Sequence, residues 1–589
     1  MNNDITLASP GARIEPPGRL FSPWSVAVLC LSILAGCYAA TEFAAWRYRF
    51  DPALGPSWQH IYLPWSVLFW GLHWYAAHPE LYLQAGSAGI AVTMLGLVAT
   101  SLCTGARRNP YKVNPRLHGS ARWADERDVN RAGLLSGRGV YVGAWPKGKD
   151  IRYLRGGSEH VLVVAPTGAG KTVSLVLPTL LSWSESIFAL DLKGELWALS
   201  SGWRQQHAGN RVLRFEPASS SGSVRFNPLD EIRIDTQYEV GDAQNIALLL
   251  VDPDGKGLND HWSKTAQSLL VGCILYLCLE AKRGREMATL PGLDGMLADP
   301  VRDVADLWKQ MKDHPHPVVA AAGRDMIDRP EAEAGSVLST AKSYLSLYRD
   351  PTVARNVSRS DFRIADLMHH DSPVSLYVVT EATDKVRLRP LVRILANLVL
   401  RRLASGTGAA PKYKHRLLLM LDEFPSLGRL AIMEESLAYV RHYGLVAMIV
   451  TQDLSQLRAA YGKDESITGN CGIQVAFPPA SLDTAEHFSK MTGVSTVIRE
   501  QVTRSGRMFA TNISRSMQES ARPLMTADEI MRMPGPRKDQ RDRIVQAGDM
   551  LIFVNGYPAI RGRQALYFAD PVFQARAAVP PPGNSSVLQ

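Results

Sequence analysis

The sequence predicts an α/β protein in which a parallel sheet carries an inserted all-helical subdomain, preceded by two membrane-spanning helices. Three observations predict it. Residues 160–172, HVLVVAPTGAGKT, run from a buried apolar strand into a small glycine-rich turn ending in Lys171-Thr172. RLLLMLDEF (416–424) is a second continuous apolar run, and it closes on an acid pair; such runs suit central parallel strands covered on both faces. Ahead of both lie two long uncharged segments, 21–41 and 81–106.

Those segments hold 21 and 26 residues. About 20 apolar residues, at ~1.5 Å rise each, cross the ~30 Å hydrocarbon core of a bilayer. From 107 to 155 there are twelve Lys/Arg against four Asp/Glu, including Arg107, Arg108, Lys112, Arg116 and Arg122. This basic flank predicts a cytoplasmic side after the second span. Two crossings then place the N-terminus on the same side, in keeping with Arg13 and Arg19. The segment between, 42–80, is expected outside. Its aromatic stretch IYLPWSVLFWGLHWYAA (61–77) reads as an interfacial or packed helix, because a third span would reverse the N-terminus. Leu34-Ala35-Gly36-Cys37 also resembles a lipoprotein cleavage box; the long, weakly basic leader ahead of it argues against cleavage.

The whole chain is long enough for several domains: 589 residues accommodate two to four at ~100–200 each. With 46% hydrophobic and 21% charged residues it is a folded protein. Disorder is expected only in the first ~20 residues and the Pro-rich tail AVPPPGNSSVLQ. Net charge is +9, and residues 1–105 contribute −1 of it, leaving +10 on the rest. That excess favours an anionic partner, nucleic acid or phosphate; ordinary solubility charge gives the same count. None of the six cysteines sits at zinc spacing, so neither a disulfide frame nor a cysteine-held metal is expected.

Ala165-Pro166-Thr167-Gly168-Ala169-Gly170-Lys171-Thr172 fits a Walker A loop with Ala in place of the first Gly. The strand VLVVA precedes it and the helical pattern VSLVLPTLLSW follows. Gly168 and Gly170 let the backbone wrap so that N–H groups face phosphate oxygens, and the helix N-terminus adds a favourable dipole. Lys171 is placed to reach the β/γ-phosphates of ATP, and the Thr172 hydroxyl to ligate Mg²⁺. At the end of the second apolar strand, Asp422 is the candidate for the Mg²⁺ shell and Glu423 for polarising the attacking water. A solvated acid pair is the bland alternative; beside a phosphate loop the pair favours a hydrolytic motor over a kinase.

Further strands are predicted at 186–195, 211–217, 374–381, 445–453 and 472–479. The strand ending Thr451-Gln452 places Gln452 as a reader of the γ-phosphate, resembling the polar sensor of ring ATPases. Asp191 and Lys193 end another strand on the ligand-binding edge, where a structural ion pair is as good a reading as a functional one. Between RFNPLDE (225–231) and the strand at 374, apolar residues recur at helical spacing in DAQNIALLLV, HWSKTAQSLLVGCILYLCLEAK, VRDVADLWKQMKD and SVLSTAKSYLSLY. The resulting division is a membrane domain (1–106), a discontinuous nucleotide-binding domain (107–231 and 356–589) and an inserted all-α subdomain (232–355).

The ordered set of two spans, HGSARWA (118–124), EHVLVVAPTGAGKT, ALDLKGE, a helical insertion, LMLDEF, TQDLSQL (451–457) and RPLMTADEIMRMP (522–534) resembles the type IV secretion coupling proteins of the TraG/TraD-like group. The resemblance spans nearly the whole chain; the long aromatic segment 42–80 is its least typical part. It implies an inner-membrane, RecA-like ATPase that assembles as a homo-hexamer and works with type IV secretion channel components. It also implies binding of single- or double-stranded DNA without sequence preference, recruitment of a relaxase or protein effectors, and substrate choice by the helical subdomain. A ring ATPase completes its site with a basic residue from the next subunit. Arg387 and Arg389 in TDKVRLRPLVR are the candidates here, and a basic helix start on the surface reads the same way. Two rivals share parts of this pattern. A chromosome-partition translocase of the FtsK type lacks support in the missing Pro/Gln-rich linker and winged-helix module. A nucleotide-binding membrane scaffold that docks effectors differs only in predicting little turnover.

Overall fold

The computed structural model describes residues 23–105, 117–147, 150–285, 287–301, 303–404, 413–505 and 512–588. It divides into two compact units, 1–114 and 115–589. The leader with Arg13 and Arg19 and the junction with Arg107, Arg108, Lys112 and Arg116 lie outside the described residues.

The first unit is built on helices α1 (Pro23–Arg47), α2 (Ser66–Trp74) and α3 (Pro79–Gly105). Within α1 and α3, Ala27–Arg47 and Pro79–Ala99 are long and apolar enough to cross a membrane. Small residues let the two backbones approach: a Cβ on Gly36 would lie 2.6 Å from the Gly89 carbonyl oxygen and collide with Thr93 Oγ1, and one on Gly96 would lie 2.5 Å from Ser32 Oγ. The glycine of the Leu34–Cys37 box therefore sits at a helix crossing. α1 continues past the expected end of its span to Arg47, because Ala44 and Ala45 are covered by Leu54, Tyr62 and Trp70 of the following segment. The aromatic stretch forms only nine helical residues, too few to span. Trp70 is buried and donates Nε1–H to the Leu54 carbonyl, while Leu68, Phe69 and Leu72 are exposed.

The second unit contains fifteen strands among the described residues: β1 (Val140–Lys147), β2 (Asp150–Gly156), β3 (Val161–Val164), β4 (Ser186–Asp191), β5 (Arg211–Phe215), β6 (Val374–Val379), β7 (Leu417–Leu421), β8 (Leu445–Thr451), β9 (Ile473–Ala476), β10 (Val494–Ser505), β11 (Asn512–Pro523), β12 (Arg537–Lys538), β13 (Ile544–Gln546), β14 (Asp549–Val554) and β15 (Ile560–Arg563). Eleven make one sheet in the order β2-β1-β15-β14-β9-β3-β8-β7-β4-β6-β5. From β9 to β5 every neighbouring pair is parallel, as the continuous apolar runs require. β14, β15, β1 and β2 extend the β9 edge antiparallel. Along β3, Leu162 and Val164 join one apolar layer and Val161 and Val163 the other, so both faces of the sheet are covered.

Among the described residues no strand interrupts the chain between β5 and β6. Helices Glu239–Val251, His261–Lys282 and Glu331–Tyr344 are among those that fill it, and they share one apolar core with a face of the sheet. His261–Lys282 is long and apolar enough to cross a membrane, yet its Leu270, Ile274 and Leu277 are packed inside that core. The Pro-rich tail departs from expectation, because its backbone finds partners. Ser586 N–H donates to the Val212 carbonyl of β5 (2.9 Å), Ser585 Oγ accepts the Arg214 N–H (3.1 Å), and Leu588 N–H donates to the Asp361 carbonyl (2.9 Å).

Candidate functional site

β3, β8 and β7 lie side by side, so the residues leaving their C-terminal ends converge. The loop 165–171 leaves β3 and is tied to its neighbour by Ala165 N–H donating to the Thr451 carbonyl at 3.0 Å. Gly168 (φ +74°) and Gly170 (φ +86°) take left-handed conformations that a Cβ would strain. The chain then enters a wide π-turn over Thr172–Val176 before the helix Leu177–Leu180. Wide turns of this kind gather at functional positions.

β7 ends at Leu421 and Asp422 follows it; Glu423 comes next, in the left-handed region with φ 64° and ψ 44°. For a residue with a side chain that costs of order 1–3 kcal/mol, tolerated where the surroundings fix it. The turn brings both carboxylates to Lys171, whose Nζ lies 3.1 Å from Asp422 Oδ1 and 3.2 Å from Glu423 Oε2. From β8, Gln452 donates its amide to Glu423 Oε1 at 2.6 Å and accepts the Thr167 hydroxyl at 2.9 Å. One polar chain thus runs from the phosphate loop to the acid pair and back. Burial alone pushes the Lys171 ammonium down, but Asp422 and then Glu423 outweigh it and raise its pKa above the ordinary value. Burial pushes the Glu423 carboxyl up; the Gln452 hydrogen bond and the Lys171 charge reverse this and hold it below the usual range. Glu423 is therefore an ionised acceptor at neutral pH.

The donor set suits a hard cation. Asp422 Oδ1 is buried against the Lys171 ammonium at 3.1 Å, and the Thr172 hydroxyl opens the helix after the loop. One carboxylate and one hydroxyl, with phosphate oxygens and water completing the shell, is the way proteins hold Mg²⁺ beside a nucleotide.

Pro166 to Thr172, Asp422, Glu423 and Gln452 thus come together at one sheet edge. Arg387 and Arg389 are on the helix Lys385–Leu403 and are held by carboxylates outside that set. Arg387 pairs with Asp350 (2.7 Å) and Asp384 (3.0 Å), and Arg389 with Asp254 (2.8 Å). Asp191 is a turn organiser. It is 2% exposed and accepts the backbone N–H groups of Trp197 (2.8 Å) and Lys193 (3.3 Å) at the start of the helix Glu195–Gln206. The sequence reading missed Gln564. Its side chain is 3% exposed, donates to the Ala169 carbonyl at 2.6 Å and accepts the Gly548 N–H at 2.9 Å, so it props the phosphate loop from 395 residues away. No local pattern in RGRQALYF signals that contact.

The family model for type IV secretory system conjugative DNA transfer matches residues 122–588. The chain is 54% identical over 625 residues to a conjugal transfer protein TraG of Escherichia coli, covering 100% of this chain and 98% of that one. It is 28% identical over 568 residues to the protein VirD4 of Agrobacterium fabrum, covering 93% and 78%. Among solved structures, the bacterial conjugative coupling protein TrwBdeltaN70 superposes with a TM-score of 0.55 at 19% identity, covering 77% of this chain and 95% of that one. The plasmid coupling protein TrwB in complex with ADP and Mg²⁺ gives 0.54 at 19%, with 76% and 94% covered. At that identity the likeness is one of fold, the RecA-like phosphate-loop α/β architecture. The matched span holds the phosphate loop, the acid pair and the helical insertion, and the chain belongs to the type IV secretory system conjugative DNA-transfer family.

Proposed function

We propose that this chain is the coupling ATPase of a type IV secretion or conjugation system, which recruits a relaxase–DNA complex or protein effectors and drives their transfer by ATP hydrolysis. The observation that carries the reading is the Glu423 carboxylate, held between the Lys171 ammonium at 3.2 Å and the Gln452 amide at 2.6 Å. In its resting arrangement Lys171 is neutralised by the acid pair. A triphosphate in the loop exchanges those partners for phosphate oxygens, with the backbone N–H groups from Gly168 to Thr172 cradling the chain of phosphates. Glu423, relieved of its cation, then accepts the proton of the attacking water, and Gln452 orients that water. Thr172 and Asp422 hold Mg²⁺, which when bound neutralises phosphate charge.

The rest of the reading follows from family membership and charge. α1 and α3 anchor the chain in a bacterial inner membrane with the ATPase unit cytoplasmic, and six copies form a ring. Arg387 or Arg389 serves a neighbour's site only by giving up its present aspartates. The surplus of +10 outside residues 1–105 suits the phosphates of DNA held without base reading. The test is ATPase activity of the full chain with and without single-stranded DNA, for wild type and Lys171→Ala. Turnover that DNA stimulates and the substitution abolishes is expected. Negligible turnover in the wild type with DNA present overturns the motor in favour of an effector-docking scaffold.

A further inference from the structure

The phosphate loop has a second cation against it. β12 and β13 form a short hairpin, and a side chain on Gly168 would begin 3.0 Å from Lys538 Nζ. The same hairpin closes over the next turn of the loop, where a Cβ on Gly170 would lie 2.7 Å from Ile544 Cδ1. Gly168 is bare of a side chain, so the Lys538 ammonium rests directly beside the backbone that cradles phosphate. Its ion pair among the described residues is with Asp542 on the same hairpin, at 3.0 Å, and the Asp542 side chain is 84% exposed. A pair that open to water is weak and exchanges readily. Two other cations of the hairpin are engaged differently: Arg543 pairs with Asp539 at 2.8 Å and Arg537 donates to Gln546 at 3.4 Å.

The charge balance of the site asks for such a group. Lys171 against Asp422 and Glu423 leaves one net negative charge, and a triphosphate with one Mg²⁺ adds two more. We propose that Lys538 is a nucleotide-binding residue: it leaves Asp542 and contacts the phosphates of the triphosphate from the same chain, adding a second cation to Lys171. This rests on the reading of residues 165–172 as a nucleotide site.

The experiment measures binding of a fluorescent Mg·ATP analogue to the full solubilised chain, for wild type, Lys171→Ala, Lys538→Ala, Lys538→Arg and Asp542→Asn. Lys538→Ala is expected to weaken binding about tenfold at low salt and less at high salt, as the loss of a charge-assisted contact does. Lys538→Arg should recover most of that affinity, and Asp542→Asn should tighten binding about two- to threefold by removing the competing carboxylate. Wild-type affinity in Lys538→Ala, with Lys171→Ala still defective, overturns this inference alone. An equal loss at every ionic strength also overturns it, because that marks a packing role for the hairpin. Undiminished binding in Lys171→Ala overturns the nucleotide site itself.

Discussion

Replacing Gln564 by leucine removes one amide and strands two backbone groups, one buried and one part-buried. The Ala169 carbonyl loses a donor at 2.6 Å, and the Gly548 N–H loses an acceptor at 2.9 Å. The side chain is only 3% exposed and the Gly548 N–H is buried, so water does not replace that partner. Each orphaned group costs about 1–3 kcal/mol, and leucine is close enough in size to leave no large cavity. The expected loss is therefore up to roughly 6 kcal/mol, concentrated at the loop that carries Lys171. Thermal unfolding of the solubilised chain should move down by several degrees, and Mg·ATP binding should weaken in parallel. Gln564→Glu is the internal control: it keeps an acceptor for Gly548, loses the donor to Ala169, and faces that carbonyl with a like charge, so it should still loosen the loop. A Gln564→Leu chain that unfolds at the wild-type midpoint and binds nucleotide with wild-type affinity would refute the propping role.

Glu423→Gln keeps the size and the Gln452 neighbour but removes the carboxylate proposed to accept the water's proton; turnover should fall about 10²–10⁴-fold while Mg·ATP binding persists, measured by phosphate release and by nucleotide titration. His160, 3% exposed ahead of β3, accepts the Ala447 N–H on Nδ1 and pairs Nε2 with the Leu437 carbonyl; burial pushes its pKa down to about 4. The unfolded chain titrates near 6.5, so between those values it binds more protons than the folded one. Stability present above about pH 6.5 is lost as pH falls toward 4, by up to about 3 kcal/mol. Urea unfolding should show that slope in the wild type and a flatter one in His160→Phe. Gly36→Leu drives a side chain into Thr93 and Gly89 at a cost of about 1–3 kcal/mol, read as faster proteolysis of the 48–78 segment between α1 and α3; unchanged proteolysis would remove the crossing from the account.

The parallel strands were legible because burial on both faces leaves an unbroken apolar run, as in VLVV, LLLML and LVAMIVT. The antiparallel edge was not. β2 and β15 mix arginines with apolar residues, and β15 alternates buried and exposed positions over only four residues. The convergence of the motif residues and Gln452 was readable because each stands at or just past the end of such a strand. The contacts of Gln564 and Lys538 with the loop were not, because they exist only once the chain's last hundred residues fold back over its first glycine-rich turn. The tail was misread for a different reason. Its composition suits disorder, but the open backbone of β5 and the Asp361 carbonyl supply partners that composition does not record. α1 outran its predicted span because the stop was a packing contact, Ala44 and Ala45 under an aromatic loop, and not a change in polarity.

The tail also serves as a hem. β5 is the outermost strand on its side of the sheet, and a bare rim of that kind invites strands from other molecules. With Ser585 and Ser586 stitched along it and Leu588 tied to the Asp361 carbonyl, the selvedge is finished from within. Shaving residues 579–588, or fusing a bulky partner close to them, would unpick that seam, and the result to expect is clumping on purification with catalysis per folded molecule intact.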